Sequence, residues 1–284
     1  MDLLDAFEIE ERTREIILKA PFSYPGGKSR SVEYILPHLP YRGSYIEPFG
    51  GAASVLLSRN KSRLEVYNDR YGGVVEFYRC LRDETKYKKM ISYLQLCPHS
   101  RQEFLSFRDN WQTQPDDVLR AAMWYYTICY SFSSLGRNFG RIVEPASSMA
   151  TRFENRLESL HKLHNRIRHI QIENLDWSQC LKDFDNKDAV FYCDPPYVDA
   201  YEGAYAVEMS HEEHKRFIDS VFSCAGFVAV SGYNNPLYDN QPWDNKYTWK
   251  SRMTIQGFSN DVNNNRETLE NPYTQAEECL WIKE

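Results

Sequence analysis

The chain has 284 residues, of which 42% are hydrophobic and 14% aromatic, so it can bury a large core and disorder as its main state is excluded. Its 34 Lys and Arg against 40 Asp and Glu give a net charge of −6, which argues against a wholly basic nucleic-acid coat and makes any anion-binding surface local. The seven cysteines form no C-x-x-C pair, and no apolar run is long enough to span a membrane. These features predict a reduced, cytoplasmic protein.

The chain opens with alternating strand and helix signals. Residues 1–20 are expected to form an extension ahead of the folded domain. Apolar runs that end in turn signals predict two strands, each followed by a helix, over 44–49, 52–60, 63–69 and 72–83. This order is typical of a βαβα unit.

The middle and end of the chain define the rest of the predicted fold. Helical periodicity without strand signals runs over 84–165, and strand signals return over 169–174, 189–194 and 226–231. A helical stretch over 210–225 precedes the last of these, and two strands joined by a polar, Asn-rich loop end the chain. The prediction is an α/β fold, a doubly wound and mainly parallel sheet with an antiparallel terminal hairpin. A catalytic domain over 21–83 and 166–284 would carry an inserted helical domain over 84–165.

A glycine turn follows the first predicted strand, in the segment EPFGGAAS (47–54). Such a turn lets a ligand approach the backbone at the carboxyl end of a parallel strand, and Asp69 ends the next strand, where it could accept hydrogen bonds from ribose hydroxyls. The G-x-G-x-x-G pattern is absent, and Glu47 would disfavour a pyrophosphate but suit a cationic ligand. A plain loop with an acid near it by chance is the alternative.

The segment DPPY (194–197) directly follows an apolar strand. It places the Asp194 carboxylate, two residues without N–H groups and the ring of Tyr197 at the carboxyl end of that strand. A carboxylate, an open carbonyl of Pro195 and a flat ring together suit a planar group that carries an NH₂, such as adenine. The alternative is a proline turn that caps a strand, with Tyr197 as packing.

Four ordered segments, PFSYPGGKSR (21–30), EPFGGAAS (47–54), YND (67–69) and DPPY (194–197), resemble the DNA adenine methylase family, the DPPY-type enzymes that methylate adenine at N6. The resemblance covers nearly the whole chain after residue 20. It implies S-adenosylmethionine as cofactor, double-stranded DNA as partner, a helical target-recognition region and no metal. The final position of the family's F-x-G-x-G motif is Ala53 here instead of glycine, which makes the turn less permissive.

The resemblance also implies roles for individual residues. The expected cofactor-binding residues are Tyr24, Gly27, Lys28, Glu47, Phe49, Gly51, Asp69, Asp176, Trp177 and Asp194. The expected catalytic residues are Asp194, Pro195, Pro196 and Tyr197. For Asp176 and Trp177, simple packing of a buried Trp is an equal alternative. In the expected chemistry, Asp194 and the Pro195 carbonyl accept the amino hydrogens of an extruded adenine while Tyr197 stacks on its face.

Seven basic against three acidic side chains between 137 and 168 predict a local DNA-binding patch. Arg137 and Asn138 lie between two glycines, in a loop where the family carries a recognition hairpin, and such side chains can read guanine and adenine edges. The other expected DNA contacts are Arg141, Arg152, Arg156 and Arg166. A solvated helix face is the alternative for the charges over 152–168.

Three further patterns are interpreted as structural features and not as functional sites. The histidine pairs 161/164 and 211/214 have a spacing that could face a metal, but no further ligands lie nearby, so solvated helix residues are predicted. The stripe Trp124, Tyr125, Ile128, Cys129 and Phe132 is predicted to be core.

The predicted function is transfer of a methyl group from S-adenosylmethionine to adenine N6 in DNA. The alternatives are methylation of cytosine N4 or of adenine in RNA, or a catalytically silent DNA-binding protein of the same fold. A monomer and a DNA-induced dimer both remain open.

Overall fold

The computed structural model describes residues 18–141, 148–198, 206–254 and 273–284. The predicted N-terminal extension, up to residue 17, and the Asn-rich loop between the last two strands lie outside the described residues.

Seven strands form one sheet: β1 (Ser44–Glu47), β2 (Leu64–Asn68), β3 (Gln171–Glu173), β4 (Ala189–Cys193), β5 (Phe227–Tyr233), β6 (Asn245–Thr254) and β7 (Tyr273–Lys283). Their order across the sheet is β3-β2-β1-β4-β5-β7-β6. The first five pair in parallel, whereas β7 is antiparallel to both β5 and β6. The predicted mainly parallel sheet with an antiparallel terminal hairpin is confirmed.

Ten α-helices accompany the sheet in the described parts of the chain: α1 (Val32–Ile35), α2 (Ser54–Ser58), α3 (Gly72–Arg82), α4 (Glu84–Gln95), α5 (Arg101–Asn110), α6 (Asp117–Tyr130), α7 (Met149–Ile167), α8 (Trp177–Phe184), α9 (His211–Ser223) and α10 (Pro236–Asp239). Side chains cap many of them. Asp116 accepts a hydrogen bond from the N–H of Leu119 at the start of α6, and Ser210 and Glu213 form a reciprocal capping box at the start of α9. None of the described helices is both long and apolar enough to cross a membrane.

The two faces of the sheet pack against different helices, because successive strand residues point to opposite sides. Tyr45 and Tyr67 belong to the core that the sheet shares with α3–α7. Ile46 and Val66 belong to the core under α8 and α9. The helices of 84–165 therefore share one continuous core with the sheet, and α7 runs through the predicted boundary at 165. The division into two domains stays a prediction.

Some predictions of burial are wrong. Four members of the aromatic stripe are buried, but Phe132 is 70% exposed, because α6 ends at Tyr130 and the chain turns away from the core. His164 and His214 are buried and not solvated. His164 Nδ1 lies 2.7 Å from the Leu81 carbonyl oxygen, and His214 Nδ1 lies 2.8 Å from the Tyr238 hydroxyl.

Candidate active site

A cavity of about 370 Å³ opens where β1, β2 and β4 end. β1 is the point at which the strand order reverses, and ligands of open parallel sheets bind at such a point. Residues from separate parts of the sequence meet in its walls, and those expected from the sequence are Tyr24, Gly27, Lys28, Glu47, Phe49, Gly51, Asp69, Arg137, Trp177, Asp194, Pro195 and Pro196. The size is in the usual range for small-molecule sites.

The glycine turn after β1 packs closely against neighbouring aromatic rings. Gly51 has a φ of +48°, and a Cβ at Gly50 would lie 2.2 Å from the Tyr67 ring, so both positions favour glycine. Ala53, the residue that departs from the family motif, also has a positive φ of 56°. This conformation costs an L-residue roughly 1–2 kcal/mol, so the turn keeps the shape of the motif without its last glycine.

Asp69 organises this turn as well as facing the cavity. Its two carboxylate oxygens accept hydrogen bonds from the N–H groups of Gly51 and Tyr71, each at 2.8 Å. Burial raises the pKa of Asp69 to about 6, although these two donors lower it. A carboxylate oxygen can accept two hydrogen bonds, so Asp69 can hold the turn and still accept from a ligand hydroxyl.

Glu47 ends β1 as a buried acid in the cavity wall, with 2% exposure. The hydroxyl of Tyr45 donates to it at 2.8 Å. Burial raises the pKa of Glu47 to about 8, against the opposing effects of the Tyr45 hydrogen bond and the Arg59 charge. Glu47 is therefore mostly protonated at neutral pH and would ionise beside a cation.

Asp194 follows β4 and is held from two sides. Lys28 Nζ lies 2.6 Å from Oδ2, and the hydroxyl of Ser231 donates to Oδ1 at 2.8 Å. Burial raises the pKa of the Asp194 carboxyl above its usual value, while Lys28 and Ser231 oppose this effect. Burial acts to lower the pKa of Lys28, but the Asp194 carboxylate outweighs it and holds that pKa above its usual value.

The side chain of Tyr197 is packed against its neighbours. Its side chain has 9% exposure, its ring makes an edge contact with Tyr233 at a centroid distance of 4.4 Å, and Lys28 Nζ lies 4.9 Å from its centroid. It contacts a second cavity of about 210 Å³, on the side of Ser231, instead of the larger one. A base can therefore stack on Tyr197 only after the surrounding side chains move.

Asp176 and Trp177 differ in their position relative to the large cavity. Trp177 lines the large cavity and packs edge-on against Phe217, with the centroids 5.4 Å apart. Asp176 caps α8 by accepting from the N–H of Ser178 at 3.0 Å, forms an ion pair with Arg70 at 3.5 Å, and is not among the described residues that line the cavity.

A short hairpin follows α6. Residues Ser131 and Phe139 form an isolated antiparallel bridge, and the N–H of Phe132 donates to the Asn138 carbonyl at 2.7 Å. Arg137 and Asn138 are exposed at this turn, and Arg137 also reaches the cavity rim. The residues expected to read base edges thus lie beside the entrance to the site.

The expected phosphate contacts differ in their exposure. Arg141 and Arg152 are exposed. Arg156 is half-buried, and its guanidinium donates to the Cys129 carbonyl at 3.3 Å.

For Arg166 the DNA-binding prediction is wrong. Its side chain is 7% exposed and its guanidinium bonds both carboxylate oxygens of Glu65, with a distance of 2.7 Å to Oε1. A buried, paired guanidinium cannot reach a phosphate.

Sequence analysis did not identify Ser231 or Tyr192 as part of the site. Ser231 lies in the last part of β5, next to the strand that leads into DPPY. The position was visible as the final residue of the predicted strand 226–231, but a serine at a strand end is too common to indicate a role.

The described residues contain no group of three or more His, Cys, Asp or Glu side chains placed to hold a metal.

Comparison with known proteins defines the class. Residues 24–256 match the D12 class N6 adenine-specific DNA methyltransferase family, and the chain belongs to this family. The family expected from the four sequence motifs is confirmed.

Individual relatives agree with this class. The chain is similar to the DNA adenine methylase of Salmonella typhi, with 27% identity over 190 residues that cover 63% of this chain and 65% of the relative. It is also similar to the Type II methyltransferase M.FokI of Planomicrobium okeanokoites, with 25% identity over 211 residues, 67% of this chain and 31% of the relative. The DNA adenine methylase of Escherichia coli K12 is 24% identical over 190 residues. The chain thus spans about a third of M.FokI and just under two thirds of the adenine methylases.

Proposed function

We propose that this chain transfers a methyl group from S-adenosylmethionine to N6 of adenine in double-stranded DNA. The observation that carries the proposal is the position of Asp194, at the carboxyl end of β4. Asp194 lines a cavity that Gly51 and Asp69 also line. An acceptor for an amino group therefore faces a site with the features of a nucleoside pocket, and the family and relatives support this assignment.

The residues of the large cavity fit the proposed cofactor. When bound, S-adenosylmethionine supplies a methyl group activated on a sulfonium. Asp69 would accept hydrogen bonds from the ribose hydroxyls, and the indole of Trp177 offers an apolar wall to the adenine ring. Glu47 would face the positive charge. Glycine at positions 50 and 51 lets the turn pack against the rings of Tyr67 and Tyr24, which a Cβ at either position would meet.

Asp194 and the carbonyl of Pro195 act on the target amino group. The lone pair of an exocyclic amine is delocalised into the base, and two acceptors directed at its hydrogens favour a geometry in which that pair is available. Orientation of the reacting groups can supply roughly 7–11 kcal/mol of the barrier reduction, and preorganised acceptors stabilise the charge that develops on nitrogen. Since each carboxylate oxygen can accept two hydrogen bonds, Asp194 can keep the hydrogen bond from Ser231 and still accept from the base.

Duplex DNA hides the target nitrogen, so the base must leave the stack, at a cost of a few kcal/mol. Stacking on Tyr197, typically about 1–3 kcal/mol per base, would offset much of this cost once Lys28 moves from the ring face. The exposed hairpin residues Arg137 and Asn138 would read the recognition sequence, and Arg141 and Arg152 would contact phosphates.

Product analysis tests the proposal. Purified protein is incubated with labelled S-adenosylmethionine and, in parallel reactions, duplex DNA or RNA, and the modified nucleosides are identified by mass spectrometry. N6-methyladenine is the expected product. N4-methylcytosine, or label that enters RNA but not DNA, would assign the same amino-directed site to another substrate, and DNA binding without any transfer would leave a silent binding protein.

A further inference from the structure

A buried chain of hydroxyl groups leads from the sheet to the Asp194 carboxylate. The Tyr192 hydroxyl lies 2.9 Å from Ser231 Oγ, and Ser231 Oγ lies 2.8 Å from Asp194 Oδ1. Tyr192 and Ser231 are 2% and 1% exposed, so water does not compete for these bonds. The proposed reaction as described above assigns neither hydroxyl a role.

The directions of the hydrogen bonds follow from the number of protons. An ionised carboxylate only accepts, and Asp194 Oδ1 lies nearer to Ser231 Oγ than the Cys193 carbonyl oxygen does, at 2.8 Å against 3.4 Å, so Ser231 gives its single hydroxyl hydrogen to Asp194. Ser231 can then only accept from Tyr192, which must donate. Burial raises the pKa of Tyr192 far above its usual value, so this phenol remains protonated and able to donate. Successive hydrogen bonds of this kind polarise and strengthen one another in a buried site.

We infer that Ser231 and Tyr192 are positioning residues for the proposed methyl transfer, which act through Asp194 by fixing its carboxylate and keeping it ionised. The inference rests on the proposed function. Lys28 reaches Oδ2 on a flexible side chain, whereas the hydroxyl chain binds Oδ1 from two neighbouring strands, β4 and β5. The chain of hydroxyls therefore holds the carboxylate in place while Lys28 moves to admit the target base.

Other titratable groups also face Asp194, and a pH readout must take them into account. They are Lys28, Glu47, Tyr192, Cys193, Tyr233 and Glu278. Of these, Lys28 stabilises the ionised form and Glu278 destabilises it. Removal of the Ser231 hydroxyl changes none of these charges, so a shift it causes reports on the hydrogen bond itself.

The test compares Ser231→Ala, Tyr192→Phe and the double variant. Wild-type methyl transfer is measured first, and its absence would refute the proposed function without bearing on the hydroxyl chain. Loss of a donor raises the pKa of Asp194, so the acidic limb of the kcat profile should move to higher pH in Ser231→Ala, by about one pH unit, with KM for S-adenosylmethionine within about twofold. Tyr192→Phe should shift it less, in the same direction, and Ser231→Thr should restore most of the wild-type profile.

The double variant separates a chain from two independent packing effects. Because Tyr192 acts through Ser231, Ser231→Ala/Tyr192→Phe should be no more impaired than Ser231→Ala alone. Tyr126→Phe is the matched control. It removes another phenol, which donates to the Pro98 carbonyl within the helical layer, and should leave the pH profile unchanged.

An NMR titration with ¹³C-labelled aspartate gives the pKa of Asp194 without turnover. A higher pKa in Ser231→Ala and an intermediate one in Tyr192→Phe support the inference. Additive losses in kcat, or an Asp194 pKa that is the same in all folded variants, would overturn it.

Discussion

Replacement of Arg166 by methionine should lower the melting temperature of the protein without lowering its affinity for DNA. Arg166 and Glu65 are 7% and 4% exposed in their side chains, and the guanidinium also donates to the Leu56 carbonyl at 3.2 Å. Breaking a buried ion pair by removing one partner typically costs about 3–5 kcal/mol. Arg59, whose guanidinium lies 3.8 Å from Glu65, retains part of the compensation and favours the lower end. For a chain of this size about 3 kcal/mol corresponds to a fall in Tm of roughly 6–12 °C.

Two variants make this prediction specific. Arg152→Met removes an exposed arginine from the same helix, α7, and should change stability by less than about 0.5 kcal/mol while flattening the salt dependence of DNA binding by about 0.9 in log–log slope. Arg166→Met/Glu65→Leu should regain most of the lost stability, because apolar replacements of buried pairs are often neutral. Thermal unfolding and DNA affinity over a salt series measure both effects. An unchanged Tm in Arg166→Met, or a salt slope reduced as in Arg152→Met, would refute the buried-pair account.

Three predictions concern the site itself. The pKa of Glu47 is about 8, and a bound cation would lower it. S-adenosylmethionine should therefore bind with release of a proton at pH 7, and its affinity should rise as the pH rises to about 8. Titration calorimetry in two buffers of different ionisation enthalpy would show equal binding heats if Glu47 took no part. Arg137→Ala should relax sequence choice by about 1–3 kcal/mol per lost base contact, and unaltered selectivity in a randomised-site methylation assay would exclude a reading role. Tyr197→Phe should keep most activity and Tyr197→Ala should lose it, since stacking needs the ring; equal damage in single-turnover assays of the two would instead implicate the hydroxyl.

The sheet and the location of the site could be predicted because the segments that indicate strands are directly followed by the motifs that indicate a ligand site. Strand runs such as 189–193 are buried along their whole length, as expected for strands that are covered on both faces, and polar motifs follow them. Parallel strands end at the same edge of the sheet, so Asp69 and Asp194, which follow two of them, line the same cavity.

Most of the wrong or missed site predictions involve contacts that are distant in sequence, whereas the error at Phe132 comes from the end of a helix. A count of charges along α7 cannot distinguish Arg166 from Arg152, because nothing in the nearby sequence shows that Glu65 of β2 pairs with Arg166. The apolar stripe of α6 includes Phe132 by spacing, but the helix ends two residues earlier and the side chain points outward. Ser231 acquires its partner only when β5 pairs with β4, so its contact with Asp194 follows from the assembled sheet.

The most direct test of the account compares Asp194→Ala with Asp69→Ala in two assays. Asp194 is assigned to the transferring amino group and Asp69 to the cofactor, so Asp194→Ala should lower single-turnover methyl transfer by at least about 100-fold while S-adenosylmethionine affinity stays within about tenfold. Asp69→Ala should weaken cofactor binding by about 1.5–3 kcal/mol for each lost hydrogen bond to the charged group. Circular dichroism confirms that both variants are folded. Equal loss of cofactor affinity in the two variants, or methyl transfer that survives in Asp194→Ala, would contradict the assignment of the acceptor on which the proposed function depends.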